Sequence, residues 1–149
     1  MIYFAYCTLL EVEGMRKYCP TAEPIGTARL PDYMLSFATY SASGTDGGCN
    51  LENAVGRETW GVLYEVTPEE LQALDLAAGL DKGYYEKIDV VVIDKDGAQI
   101  SAVTYVIPQP GGPFRPSSAY TRPILVGARD LELPGEYIAD LEKIVESAQ

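Results

Sequence analysis

The chain has 149 residues, of which 47% are hydrophobic and 22% charged, the size and composition of one ordinary globular domain. Its net charge of −11 repels phosphate, which argues against nucleic acid and anionic membranes as partners. It contains no histidine and only three cysteines, without C-x-x-C spacing, so we expect no metal site, no cofactor and no His-dependent catalysis. Since neither a membrane-spanning run nor a secretory signal is visible, we expect a cytoplasmic protein.

The first half of the chain is dominated by predicted strands. Residues 3–10 begin with an apolar, aromatic run that is typical of a buried strand, and residues 7–10 follow it as a loop. Such a loop at a strand end is a common place for a small-molecule pocket. The pattern then predicts, in order, a helix (11–18), two strands on either side of a Pro31-Asp32 turn (25–30, 33–40), an exposed loop (41–48) and a buried strand (58–66).

The second half alternates helices with a hairpin. Thr67, Pro68 and Glu70 form a strong helix start with a capping box, and Gly79 predicts the end of that helix. The remaining predicted elements are a strand (84–93), a hairpin turn (94–97), a strand (100–107), a proline-rich loop (108–116), a helix begun by Ser117 or Ser118 and ended by Gly127, and a last helix (134–147). This order predicts a single α+β domain over residues 1–149, with flanking helices and a small mixed or antiparallel sheet that is either open or closed as a barrel.

Taken together, these segments resemble the gamma-glutamylcyclotransferase-like (AIG2-like) family over nearly the whole chain. Tyr3-Phe4-Ala5-Tyr6 matches the strand part of its opening motif, Tyr-Phe-Ala-Tyr-Gly-Ser-Asn-Leu. Further matches follow in order at Arg16, Cys19-Pro20, residues 26–30, Tyr33, Phe37, Gly47-Gly48, residues 60–64, Leu74-Asp75, Gly79, Gly83, Tyr85, Thr104-Tyr105, Pro116-Ser117, Tyr120, Gly127-Ala128, Leu133-Pro134 and Tyr137. The resemblance implies the family fold, although a fold alone does not fix a function.

The resemblance also implies a reaction, an intramolecular aminolysis. The α-amine of a γ-glutamyl group attacks its own γ-carbonyl, closes 5-oxoproline and releases an amine or amino acid. This chemistry needs an anion-binding nest of backbone N–H groups for the α-carboxylate, which the family loop provides. It also needs a general base near the amine, for which the family uses a glutamate.

Both catalytic features are altered in this chain. The loop reads Cys7-Thr8-Leu9-Leu10 where the family has Gly-Ser-Asn-Leu, and a left-handed glycine there would leave Cys7 strained or the loop reshaped. Ala78 stands at the family's glutamate position, and a methyl group cannot accept a proton. Four carboxylates are candidates to replace the glutamate or are simply solvated surface charges: Asp75, Asp81, Glu86 and Glu52. Tyr85 and Glu86 alternate on a predicted strand, and we expect Tyr85 to point inward.

The resemblance and the loop together predict a substrate-binding set. Its members are Tyr6, Cys7, Thr8, Leu9, Leu10, Cys49, Asn50, Ala78, Tyr85 and Tyr120. Cys7 is either a catalytic nucleophile or a small buried hydrophobe, and Thr8 either binds substrate or closes a local turn. Cys49 either faces the cavity or packs in the core. A contact between Cys7 and Cys49 is possible, but a stable disulfide is unusual in a reducing cytosol.

Three functions are therefore open at this point. The leading hypothesis is a divergent enzyme that acts on a small γ-glutamyl-type or related amide, with Cys7 and Glu86 as candidate catalytic residues. The second is an inactive relative that binds a small carboxylate ligand or a protein partner, and the third is a Cys7-dependent acyl transferase or hydrolase. We expect a small-molecule substrate or ligand as the partner, with a homodimer as a possible assembly.

Overall fold

Apolar runs rich in β-branched and aromatic residues form five strands, and capped amphipathic segments form four helices, in a computed structural model that describes residues Met1–Gln149. The strands are β1 (Ile2–Ala5), β2 (Glu23–Thr39), β3 (Gly47–Glu65), β4 (Glu86–Asp94) and β5 (Gln99–Val106). The helices are α1 (Val12–Arg16), α2 (Pro68–Ala77), α3 (Ser118–Asp130) and α4 (Gly135–Ala148). Two short 3-10 turns lie at Thr8–Leu10 and Leu80–Lys82.

The strands close into a barrel in the order β1-β3-β2-β4-β5. Strand β1 pairs antiparallel with β3 and parallel with β5, so the sheet is mixed, and all other neighbours are antiparallel. The core holds the fully buried side chains of Phe4, Tyr64 and Ile124, among others. The predicted α+β class with a small mixed barrel and flanking helices is confirmed.

The two strands predicted on either side of Pro31-Asp32 are one strand. Strand β2 runs through this point with a shift of register against β3, because Asp32 adopts a left-handed φ of 64° and its Oδ1 accepts the N–H of Gly56 at 3.0 Å. Strand β3 is also longer than predicted, since it begins at Gly47 rather than residue 58. As a consequence, Cys49 and Asn50 belong to a long strand of the barrel.

Helix α2 has the predicted start. The Thr67 hydroxyl accepts the N–H of Glu70, and the Glu70 carboxylate accepts the N–H of Thr67, each at 3.1 Å. After the helix, Gly79 has a φ of 70°, and strand β4 begins at Glu86, two residues later than expected. Tyr85 therefore precedes the strand.

Gly127 has a different role from the predicted one. It lies inside α3, which continues to Asp130, instead of ending that helix. A Cβ atom at this position would collide with the backbone of Leu10 and Glu11, so glycine lets α3 pack directly on the loop after β1. Helix α4 begins after Pro134, as its amphipathic pattern predicts.

None of the helices combines the length and the apolar character that a membrane span requires.

Candidate functional site

A cavity of about 220 Å³ opens between the loop after β1, the beginning of β3 and the end of α2. Seven of the 11 tyrosines of the chain contribute to its walls. The lining residues are Tyr3, Tyr6, Cys7, Thr8, Leu9, Tyr18, Tyr40, Cys49, Leu74, Ala77, Ala78, Tyr85, Tyr105 and Tyr120. Since no Asp, Glu, Lys or Arg is among them, phenol hydroxyls and backbone groups supply most of the polarity of the cavity.

The loop of residues 7–10 forms one end of the cavity. It is a single 3-10 turn in which the N–H of Leu10 binds the carbonyl of Cys7, and the phenol of Tyr64 donates to the Leu9 carbonyl at 2.9 Å. The N–H groups of Thr8 and Leu9 lie at the start of this turn and have no acceptor within it. These two N–H groups can bind an anion that enters the cavity.

Cys7 does not adopt the left-handed conformation considered from the family motif. Its φ is −120°, outside the left-handed region that favours glycine. Its sulfur forms a disulfide with Cys49, with the two Cα atoms 6.3 Å apart. The disulfide therefore joins the loop to strand β3 at the wall of the cavity, and the third cysteine, Cys19, is free and buried.

Three phenols converge above Gly48 at the beginning of β3. A Cβ atom on Gly48 would lie 2.5 Å from the Tyr85 oxygen, 2.8 Å from that of Tyr120 and 3.2 Å from that of Tyr40. The Tyr85 hydroxyl donates to the Cys49 carbonyl at 2.8 Å, and the Cys49 N–H donates to the Tyr120 oxygen at 3.0 Å. Only glycine fits under this cluster, which fixes the position of Cys49.

Burial raises the pKa of the three phenols above Gly48, which are protonated at neutral pH. Desolvation raises the pKa of Tyr40 to about 12 and raises the pKa of Tyr85 further. Desolvation also raises the pKa of Tyr120, while the hydrogen bond from the Cys49 N–H opposes that shift. These hydroxyls are therefore neutral hydrogen-bonding groups rather than phenolate bases.

One carboxylate lies one phenol away from the cavity. The Tyr105 hydroxyl donates to Oδ1 of Asp75 at 2.6 Å, and Lys87 holds Oδ2 of Asp75 at 2.9 Å. Burial, followed by the hydrogen bond to Asp75, raises the pKa of Tyr105 well above its ordinary value. Asp75 lies on α2 nearly one turn before Ala78, so it borders the region that the methyl group of Ala78 faces.

The structure brings together eight of the ten predicted substrate-binding residues. They are Tyr6, Cys7, Thr8, Leu9, Cys49, Ala78, Tyr85 and Tyr120. Leu10 is instead fully buried in the core, and the side-chain oxygen of Asn50 accepts the N–H of Ile107 at 2.9 Å. Both residues are buried and do not line the cavity.

Neither Cys7 nor any of the four candidate carboxylates presents a free catalytic side chain in the cavity lining. The sulfur of Cys7 is in a disulfide and is not a free thiol. Glu86, together with Asp81 and Glu52, is exposed and absent from the lining, so Asp75 alone of the four candidate carboxylates is hydrogen-bonded to a cavity residue. No group of three or more His, Cys, Asp or Glu side chains is arranged to hold a metal ion.

Sequence reasoning missed six lining residues, namely Tyr3, Tyr18, Tyr40, Leu74, Ala77 and Tyr105. Tyr3 and Tyr105 lie on the neighbouring strands β1 and β5, and their ring centroids are 5.6 Å apart. Their proximity can be predicted only when the strand order is known. Tyr40, which follows β2, stacks on Tyr84, which precedes β4, with ring centroids 4.4 Å apart. The high number of tyrosines is the one sequence feature that indicates a tyrosine-lined cavity, but it does not distinguish tyrosines of the cavity wall from tyrosines of the core.

Known proteins with similar sequences cover most of this chain. The sequence model of the AIG2-like family matches residues 58–141. Gamma-glutamylcyclotransferase of Bos taurus is 30% identical over 147 residues, which cover 96% of this chain and 78% of that protein. The Homo sapiens protein of the same name is 30% identical over 148 residues with the same coverage. The chain belongs to the AIG2-like family.

Solved structures agree with this family membership. A structure named gamma-glutamyl cyclotransferase superposes with a TM-score of 0.87 at 32% identity and covers 95% of the AIG2-like chain and 85% of its own. YkqA of Bacillus subtilis superposes with a TM-score of 0.82 at 24% identity, covering 99% of this chain and 54% of its own, a likeness of fold alone. The predicted family and fold are thereby confirmed, and the chain is gamma-glutamylcyclotransferase-like.

Proposed function

We propose that this chain cyclises a small γ-glutamyl-type amide to 5-oxoproline and that Asp75, acting through Tyr105, replaces the glutamate that Ala78 lacks. The observation that carries the proposal is the 2.6 Å hydrogen bond from a cavity phenol to a carboxylate beside Ala78. The relatives that are 30% identical and named gamma-glutamylcyclotransferase support the same reaction class.

Substrate binding uses the loop end of the cavity. The N–H groups of Thr8 and Leu9 receive the α-carboxylate, and the Thr8 hydroxyl adds a further polar contact. The oxygen of Tyr120 already accepts the Cys49 N–H, and its own proton can turn from the Cys7 sulfur, 3.7 Å away, to the γ-carbonyl oxygen as negative charge develops there. The apolar surface of Leu74 and Ala77 receives the leaving amine.

The proton then moves through Tyr105. The α-amine nitrogen forms a bond to the γ-carbon and passes a proton to the Tyr105 oxygen, while Tyr105 passes its own proton to Asp75. The bond from the γ-carbon to the amide nitrogen breaks, and the reverse transfer returns one proton to the departing nitrogen. The phenol stays neutral throughout, which agrees with its raised pKa.

The decisive experiment measures 5-oxoproline release from a panel of γ-glutamyl amines and γ-glutamyl dipeptides. We expect turnover by the wild type and a loss of kcat/KM of about 10²–10⁴-fold in Asp75→Asn and in Tyr105→Phe. Glu86→Gln is the matched control, because Glu86 is an exposed carboxylate outside the cavity. Turnover that survives Asp75→Asn, in a variant with an unchanged melting temperature, would contradict the proposed proton path.

A second candidate function is ligand binding without catalysis. The observation that favours it is the absence of any carboxylate from the cavity lining, where Ala78 presents a methyl group. In this case the wild type would bind 5-oxoproline or a γ-glutamyl amide in calorimetry and release no product. The two candidates are therefore separated by turnover, since both require an intact cavity.

The third function considered from the sequence, a Cys7-dependent acyl transferase or hydrolase, has less support. The Cys7 sulfur is bonded to Cys49 and carries no thiol in this structure. The chain has no histidine to activate a free thiol either. We do not propose nucleophilic catalysis by Cys7.

A further inference from the structure

The Cys7–Cys49 disulfide is a feature of the cavity wall that the cyclisation reaction does not use. Both cysteines line the cavity, and the bond connects the loop that carries the anion-binding N–H groups to strand β3. We propose that this pair is a redox-active site for small thiols, which enter through the cavity, reduce the disulfide at Cys7 and thereby release the loop. The effect on ligand binding rests on the proposed function, whereas the thiol chemistry does not.

The two sulfur atoms differ in their accessibility. Cys49 is only 1% exposed, and its backbone is fixed on both sides by the hydrogen bonds with Tyr85 and Tyr120. Cys7 is half-buried and lies on a short loop at the cavity wall. A space of about 220 Å³ accommodates an amino-acid-sized thiol but not a folded protein. The attacking thiolate therefore reaches Cys7 from the cavity and makes Cys49 the leaving group.

The chemistry balances with two small thiols. The first thiolate bonds to Cys7 Sγ as the disulfide bond breaks, and Cys49 leaves as a thiolate that takes up the proton lost by the thiol. A second thiolate attacks the sulfur of the bound thiol, so that a small disulfide is released and Cys7 becomes a protonated thiol. Two small thiols are thus oxidised and the protein disulfide is reduced.

Tyr120 is placed to assist the second step. Its oxygen lies 3.7 Å from Cys7 Sγ and accepts the Cys49 N–H. A disulfide sulfur carries no proton, so in this contact the phenol is the donor. The same hydroxyl can stabilise the Cys7 thiolate as it leaves.

Reduction changes the loop because the two thiols cannot remain at bonding distance. Cys49 is held by its strand and by two phenols, so the displacement falls on Cys7 and on the adjoining N–H groups of Thr8 and Leu9. The oxidised form therefore holds the anion-binding loop in place, and the reduced form loosens it. We expect tighter binding of a carboxylate ligand in the oxidised form.

The test uses the full chain and two matched single-cysteine variants. Cys49→Ser leaves Cys7 as a thiol, and Cys7→Ser leaves Cys49, while buried Cys19 serves as an internal control in both. Each variant is treated with 2-hydroxyethyl disulfide, and intact mass follows the mixed disulfide. We expect Cys7 to react at least tenfold faster than Cys49. Equal rates, or three free thiols in the wild type after air oxidation and denaturation, would overturn the proposal.

Hydrogen exchange then tests the loop without any ligand. In the wild type, reduction with 2-mercaptoethanol should accelerate amide exchange in residues 7–10 at least tenfold. The Cys7→Ser/Cys49→Ser double variant should exchange as fast as the reduced wild type, with or without the reductant. Unchanged exchange on reduction would refute the loop release. Binding of 5-oxoproline should weaken at least tenfold on reduction, and failure to bind in both states would count against the proposed function alone.

Discussion

The two walls of the cavity are built in opposite ways. The wall made by the 7–10 loop and β3 carries free N–H groups and a disulfide, and a cluster of phenols from other elements packs on it at Gly48. The wall made by α2 presents only the aliphatic side chains of Leu74, Ala77 and Ala78. One wall is thus suited to holding a polar substrate, and the other offers no group that accepts a proton.

Groups suited to binding and groups suited to proton transfer are thus distributed differently between the two walls. The two N–H groups of the polar wall belong to the backbone, so they are present whichever side chains the loop carries. In the mechanism that the family resemblance implies, proton transfer depends on a glutamate at one position, where this chain has Ala78. Asp75 lies on the same helix but contacts the cavity only through its hydrogen bond with Tyr105.

The largest expected effect comes from placing a carboxylate on the aliphatic wall. Ala78→Glu should raise kcat for 5-oxoproline release by about 10²-fold or more, because a positioned general base typically contributes 10²–10⁴-fold. The measurement is the γ-glutamyl amide panel described above. Ala78→Gln has the same shape without the base and should give no increase, and Ala77→Glu tests whether any carboxylate on this wall is sufficient.

The next effect concerns the polar wall. The disulfide spans a sequence separation of 42 residues, and closing a loop of that length stabilises a protein by roughly 4 kcal/mol in the chain-entropy account. Reduction should lower the free energy of urea unfolding by an amount near this value. The Cys7→Ser/Cys49→Ser variant should show no dependence on the reductant, and a wild type with equal stability in both buffers would contradict the role of the disulfide as a clamp.

The fold was predictable from local signals, whereas much of the site was not. The capping box at Thr67 and Glu70 and the hairpin at residues 94–97 follow from short-range chemistry. Strand β2 was divided wrongly because Pro31-Asp32 reads as a turn, and only pairing with β3 absorbs Asp32 as an irregularity within one strand. Long-range pairing also decides that Cys49 faces Cys7.

The contributions of Tyr105 and Asp75 show why site residues are harder to predict. Their hydrogen bond joins α2 to β5 across 30 residues of sequence, and although Leu74-Asp75 and Thr104-Tyr105 match the family in sequence, no local pattern shows that these two side chains meet. The family motif predicted the positions of Ala78 and the 7–10 loop because those positions are contiguous with recognisable segments. Asp75 is one of four candidate carboxylates in the sequence, and only the structure shows that it is hydrogen-bonded to a cavity residue.

A smaller effect is expected under the phenol cluster. Gly48→Ala would place a Cβ atom 2.5 Å from the Tyr85 oxygen, so the phenols must shift, at a cost of about 1–3 kcal/mol in the free energy of unfolding. Thermal unfolding measures this change. Gly135→Ala is the matched control, because no atom lies within 4 Å of its new methyl group, and it should leave stability unchanged or slightly raised.

The smallest expected effect lies at the far end of α2, where Glu70 is bound by the N–H of Thr67 and by the hydroxyl and N–H of Thr21. The hydrogen bond from the Thr67 N–H is the main cause that lowers the pKa of Glu70, and burial opposes it. A carboxyl group whose pKa is lowered in the folded state stabilises the protein at pH values above its ordinary pKa. This stabilisation is lost as the pH falls through the folded-state pKa.

Glu70→Gln should therefore reduce the free energy of unfolding by about 1 kcal/mol at pH 7. The difference from wild type should shrink as the pH is lowered below the pKa of an ordinary glutamate, because protonated Glu70 has lost the same interactions. Urea unfolding over this pH range measures the difference. Glu69→Gln changes an exposed neighbour in the same helical turn and should show neither effect. A pH-independent difference for Glu70→Gln would mean that the site stabilises α2 by packing rather than by its charge.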